Sequence, residues 1–134
     1  MNKLFSFFSL CLLSITFGCN KPIGERVYSF QVRDESGKGF GLLISKFYPD
    51  TAIPDQYEKI RGIPPFQTVP IDSKIKWEEY FAALPADTLS LFLFSGDTLQ
   101  KYSWSEIRSG YKIIKRIDLS LDYLKEKNYT ISYP

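Results

Sequence analysis

After a largely apolar opening run from Leu4 to Phe17, the chain settles into short alternating stretches. Tyr28, Phe30 and Val32 alternate with Ser29, Gln31 and Arg33, the period of two that marks a half-buried strand. Asp34 to Gly39 is polar and carries two glycines, Gly37 and Gly39, which predicts a hairpin returning along Phe40 to Phe47. From Tyr48 to Pro70 the chain carries Pro49, Pro54, Pro64, Pro65 and Pro70. Proline has no N–H to give a central strand, so this stretch is expected to be loop and edge structure.

The period then changes. Trp77, Tyr80, Phe81 and Leu84 recur at helical spacing and predict one face of a short helix ended by Pro85. Leu89 to Phe94 is apolar on both faces apart from Ser90, as expected of a central strand covered on both sides, and Ser95-Gly96-Asp97 is expected to turn it out. Ser103-Trp104-Ser105-Glu106 has capping-box spacing and predicts a second helix, with Gly110 as its stop. The next strand is expected to place Ile113, Ile117 and Leu119 on one face and Lys112, Arg116 and Asp118 largely on the other. Ser120 reads as the cap of a last short helix, Leu121 to Lys127, with Asn128 in the left-handed stop. Tyr129 to Tyr133 alternates as a closing strand.

Helices this short cannot cover both faces of a parallel sheet. The expected fold is therefore mainly β or α+β: a single antiparallel, sandwich-like domain over residues 26–134 with two or three short helices. The sharper immunoglobulin-like form lacks its cysteine pair and buried-tryptophan pattern.

The opening run has a different meaning. Lys3 supplies a positive start, Leu4 to Phe17 the apolar centre, and Gly18 a small residue before Cys19, the layout of a secretory signal. The run is shorter than the roughly 20 residues that span a bilayer, and Asn20-Lys21-Pro22 does not extend it. The segment Ile15-Thr16-Phe17-Gly18-Cys19 resembles a lipobox, although Thr16 and Phe17 depart from its commonest residues. That resemblance implies cleavage after residue 18 and a diacylglycerol on the Cys19 thiol, with residues 19–25 as a lipidated tether. Each buried acyl methylene contributes about 0.8 kcal/mol, so two or more chains hold a protein firmly to a membrane.

This reading consumes both cysteines, since Cys11 leaves with the signal and Cys19 carries lipid. The chain has no histidine. Ser-His-Asp and Cys-His catalysis are thereby excluded, as are nearly all zinc, copper and haem sites, and no D-x-D-x-D-G calcium loop is written. No cofactor or metal is expected. The net charge of +2 includes Lys3, and no basic stripe argues for nucleic acid. The 16% aromatic content suits a Tyr/Phe-rich β core better than sugar-stacking platforms.

Asp87-Thr88-Leu89-Ser90-Leu91-Phe92-Leu93-Phe94, Asp97-Thr98-Leu99, Tyr102-Ser103-Trp104, Glu106-Ile107-Arg108, Lys115 to Leu121 and the closing Asn128 to Pro134 resemble a group of small lipoproteins of Bacteroidales-type gut bacteria. The resemblance covers the C-terminal half; the N-terminal half contributes only Tyr48-Pro49-Asp50-Thr51. It supports the envelope address and the fold without supplying a function. It also implies O-glycosylation acceptors of the Asp-Thr-small or aliphatic type at Thr51, Thr88 and Thr98, although Asp-Thr equally ends a turn and begins a strand. By analogy Asn20, in place of a retaining aspartate, points to the outer membrane. Asn20 to Glu25 lacks the acidic run that accompanies surface display, which favours the periplasmic face.

Two classes of function fit. One is a non-catalytic binding module, anchored to the bilayer through Cys19 and engaging an envelope protein, a glycan or an enzyme it inhibits. The alternative is a hydrolase working with two carboxylates, as glycosidases do. The pairs available to it by spacing are Glu78 with Glu79 and Asp118 with Asp122. Adjacent helical residues point apart, and acids in a first turn normally serve the helix dipole, so the binding class is preferred.

Overall fold

The computed structural model describes residues 26–134; the signal, the Cys19 anchor and the tether expected from the sequence lie outside them. Seven strands form two sheets. β1 (Tyr28–Asp34) is the centre of a three-stranded sheet, between β4 (Thr68–Ser73) and β7 (Thr130–Tyr133). The second sheet has the order β3 (Arg61–Ile63), β2 (Phe40–Ser45), β5 (Thr88–Phe94), β6 (Lys115–Ser120) and is antiparallel throughout. The domain is thus mainly β within the α+β class, as its pattern of alternation predicts. Two features depart from the expectation: β7 joins β1 in parallel, and the described residues hold four short α-helices rather than two or three.

The sheets pack face to face through the period-two positions. Phe30, Val32, Ile71 and Ile131 from one sheet meet Leu42, Leu89, Leu91, Leu93 and Leu119 from the other, all buried. Helices α1 (Trp77–Ala82) and α4 (Leu121–Glu126) add Trp77, Phe81 and Leu124 to this core. Side chains alternate across a strand, so Ser90, Phe92 and Phe94 of β5 point the other way. There Phe92 and Phe94 form a second cluster with Leu43, Ile53 and Ile107. Ile107 comes from α3 (Trp104–Ser109) and Ile53 from the loop after β2. β5 is therefore covered on both faces. Ile113 belongs to this second cluster and precedes β6, so it does not share the face of Ile117 and Leu119 as the sequence suggested.

The expected hairpin between β1 and β2 is absent; the two strands lie in different sheets. The Asp34 side chain organises the turn that carries the chain from one sheet to the other. Its Oδ1 accepts from the Ser36 amide (3.1 Å) and hydroxyl (2.5 Å), and its Oδ2 from the amides of Gly37 (3.0 Å), Gly39 (3.2 Å) and Phe66 (3.0 Å). These bonds fix the turn, while both edges of β1 are taken by β4 and β7. Gly37 and Gly39 both have positive φ, 74° and 68°, which favours glycine, and a Cβ at Gly37 would collide with the Phe66 ring.

Ser95-Gly96-Asp97 is also more than a turn. Ser95 caps a helix, α2 (Gly96–Lys101), accepting from the Thr98 amide at 3.0 Å. The other caps match the sequence. Ser103 and Glu106 form the reciprocal capping box, with the Ser103 amide donating to Glu106 Oε2 at 2.8 Å and the Glu106 amide to Ser103 Oγ at 3.3 Å. Ser120 accepts from the Tyr123 amide at 3.1 Å, and Asn128 has φ 48°. Pro70 is tolerated because β4 is an edge strand.

Candidate functional site: a basic-rimmed cleft between the sheets

The two sheets part at one end. β1 runs from that end toward the Asp34 turn and β2 runs back to it, so the N-terminal end of β1 and the C-terminal end of β2 lie side by side. Between them is a cleft of about 630 Å³. Phe30, Leu42, Ile71, Trp77 and Leu89 supply its apolar floor, while Lys46, Phe47, Gln56, Lys59, Arg61, Asp72 and Tyr80 bring polar and aromatic groups to it.

Local structure explains how the rim is assembled. Lys46 and Phe47 directly follow β2, so strand pairing fixes their approach. The loop after them is pinned to α3. Asp55 accepts from the Trp104 indole at 3.1 Å and pairs with Arg108 at 3.3 Å, and Arg108 Nε also donates to the Ile53 carbonyl at 3.0 Å. Pinning residues 53–55 brings Gln56 to the cleft and leads into the 3-10 turn Tyr57–Lys59. Arg61 then enters from β3, opposite Leu42.

Lys46, Lys59 and Arg61 are exposed, and none forms an ion pair among the described residues. The Lys46 ammonium lies 4.9 Å from the centre of the Tyr80 ring, a cation–π contact that keeps its charge at the cleft. Asp72 is the single acid in the lining and accepts from the Ser29 hydroxyl at 2.6 Å. At the floor, Trp77 packs edge-on against Phe30 and Tyr80, with ring centres 5.1 and 5.2 Å away. Its buried indole N–H has no hydrogen-bond acceptor among the described residues; aromatic faces offset such a donor only weakly. The cleft thus combines an apolar floor with three cationic side chains at its rim.

The acids singled out by spacing are placed elsewhere. Asp118 is in a satisfied network on β5 and β6: its Oδ1 accepts from the buried Ser90 hydroxyl at 2.6 Å and from Arg116 Nε at 2.8 Å. Burial would lower the Arg116 pKa, but Asp118 and Tyr111 outweigh it and hold the pKa above its ordinary value. Glu78 and Asp122 line one small groove together with Asp87. Glu78 pairs with Lys125 at 3.2 Å, and its own backbone amide, followed by Lys125, pulls its carboxyl below the usual range. A general acid needs the opposite shift. Among the described residues no group of three or more His, Cys, Asp or Glu side chains could hold a metal ion.

Thr51 is exposed on the pinned loop, where Asp50 accepts from the Ala52 amide at 2.8 Å. Thr88 is half-buried at the start of β5, opposite Ser120. Thr98 is half-buried in α2, and its hydroxyl accepts from Ser95 Oγ at 2.8 Å. The cleft residues Lys46, Gln56, Lys59 and Arg61 escaped sequence reasoning because they come from three separate segments with no shared motif. Trp77 and Tyr80 could be read, but as a helix face.

Fold and cleft together define a two-sheet α+β domain with a basic-rimmed inter-sheet cleft. No family model, curated protein or solved structure matches the chain.

Proposed function

We propose that this protein is a lipid-anchored envelope protein, held through Cys19 on the periplasmic face of the outer membrane, whose domain is a non-catalytic binding module. Its site is the inter-sheet cleft and its ligand is acidic. The observation that carries the reading is the convergence of Lys46, Lys59 and Arg61, free of ion pairs among the described residues, over the apolar floor. Three cations at one cleft mouth with no ion pair among the described residues favour an anion from outside, since no such pair has to be broken. The cleft lining has one acid, Asp72, whereas glycoside hydrolysis uses two facing carboxyl groups roughly 5–10 Å apart; this supports the binding class over the hydrolase alternative. On the same reading Thr51, exposed in its loop, is the most accessible of the three Asp-Thr acceptor candidates for O-glycosylation.

The test is an affinity recovery from the native envelope with the intact lipoprotein and with the double variant Lys59→Glu, Arg61→Glu. Both residues are exposed, so the variant is expected to keep the wild-type unfolding midpoint. Protein, glycan and lipid recovered with the wild type are compared with those recovered with the variant. A component enriched with the wild type and lost with the variant is the expected result. Identical recovery in all three fractions would contradict the cleft assignment.

A further inference from the structure

We infer that the acidic partner of the cleft is the bilayer surface itself: the cleft end of the domain docks on anionic phospholipid headgroups. The inference rests on the anchored-module reading above and names the ligand class for that same site.

Three observations converge on it. The first is where the chain enters the domain. Tyr28 is opposite Ser73 in the β1–β4 register, so residues 26 and 27 emerge beside residues 74 and 75. Ile71 and Asp72 of the same β4 end line the cleft with Lys46 and Phe47. The tether and the cleft therefore share one end of the sandwich, while the Asp34 turn and Phe66 occupy the other. Residues 20–25, fully extended, reach about 20 Å at most, so this end cannot stray far from a lipidated Cys19.

The second is apolar exposure. Val27 is 57%, Phe47 58% and Ile75 45% exposed. Other large apolar side chains are exposed elsewhere, Phe66 among them, but these three share one end with the cleft and the chain's entry, where a contact surface would combine them with the cations. The third is charge. Lys46, Lys59 and Arg61 present cations at the same end that form no ion pair among the described residues, and apolar residues flanked by Lys and Arg are the composition that enters the headgroup layer. A soluble acidic glycan would use the cations but leave Val27 and Ile75 without a role. Attachment also lowers the demand on the contact, because a tethered domain meets the surface at a high effective concentration.

The experiment uses the lipidated mature protein in vesicles of phosphatidylethanolamine and phosphatidylglycerol, and in vesicles of phosphatidylcholine alone. With Cys19 acylated the mature chain has no other thiol, so Phe47→Cys and Phe66→Cys each accept a single nitroxide label. Phe66 is 73% exposed at the far end and serves as the reference. In the anionic vesicles the label at 47 is expected to be several-fold less accessible to a water-soluble relaxation agent than the label at 66. The difference should shrink in phosphatidylcholine and when Lys59→Glu and Arg61→Glu are combined with Phe47→Cys. Equal accessibility at 47 and 66 in a protein that floats with the vesicles would overturn the docking and leave the anchor standing. Shielding at 47 that survives the double charge reversal would overturn the role given to the cleft. Failure to float with any vesicle would remove the anchor and the docking with it.

Discussion

Truncating Leu91 to alanine is expected to destabilise the domain by about 2–5 kcal/mol. Leu91 is fully buried at the centre of β5, between Ile44 of β2 and Ile117 of β6, and it faces the core between the two sheets. The loss combines transfer of the deleted atoms to water with the cavity left in a framework that strand pairing holds on both sides. Domains of this size have a total stability of about 5–15 kcal/mol, so the variant is expected to unfold at markedly lower urea concentration or to express poorly. Phe47→Ala is the contrasting control: its ring is 58% exposed, and a surface change of that kind stays within about 0.5 kcal/mol. Urea unfolding of the two variants beside the wild type checks both. A loss below about 1 kcal/mol at Leu91 would mean that β5 is not the central strand.

Asp34→Ala is expected to cost about 2–4 kcal/mol, because the carboxylate serves five donors and hydrogen bonds to a charged group contribute about 1.5–3 kcal/mol each without adding fully. Asp34 is 1% exposed, but it is covered by its own turn and by the loop at Phe66 rather than by the deep core, so water can reach some orphaned amides and the sum is not reached. The same geometry predicts a pH dependence. Burial alone would raise the Asp34 pKa; the Ser36 hydroxyl and the amides of Phe66, Gly39 and Ser36 outweigh it, and the carboxyl is held below its ordinary value of 3.8. A carboxyl that is more acidic in the folded state stabilises that state above the ordinary value, and the contribution is lost as pH falls through the lower folded value. The stability difference between wild type and Asp34→Asn should therefore be constant near neutrality and narrow in strong acid. A difference that is flat down to acid unfolding would show that the charge on Asp34 does not hold the turn.

Asp34 also shows where the sequence stops being readable. Asp-x-Ser-Gly signals a local turn, and the turn is there. The amide of Phe66, distant in the chain, is the donor that ties the turn to the β3–β4 connection, and no local pattern announces such a partner. The same distinction runs through the fold. β5 was legible because both its faces are apolar, and the capping box at Ser103 because its signal is complete within four residues. α2 was missed because Gly96, Asp97 and Thr98 have the composition of a turn, and Leu99 is the single apolar residue in the segment to hint at a helical face. The parallel β1–β7 pairing joins the two ends of the domain, and period-two alternation carries no information about strand direction. The cleft was illegible for a related reason: its cations come from the end of β2, a 3-10 turn and β3, and only the pinning of the intervening loop by Asp55, Trp104 and Arg108 brings them together.

The proposed envelope role and the inferred docking both rest on the anchor, so lipid attachment is the measurement to make first. Cells expressing the wild type or Cys19→Ser are labelled with a palmitate analogue and fractionated. The wild type should carry label and sediment with the membranes. The Cys19→Ser variant should carry none and appear as an uncleaved precursor or a soluble product. Label and membrane partition unchanged in Cys19→Ser would contradict the account at its base.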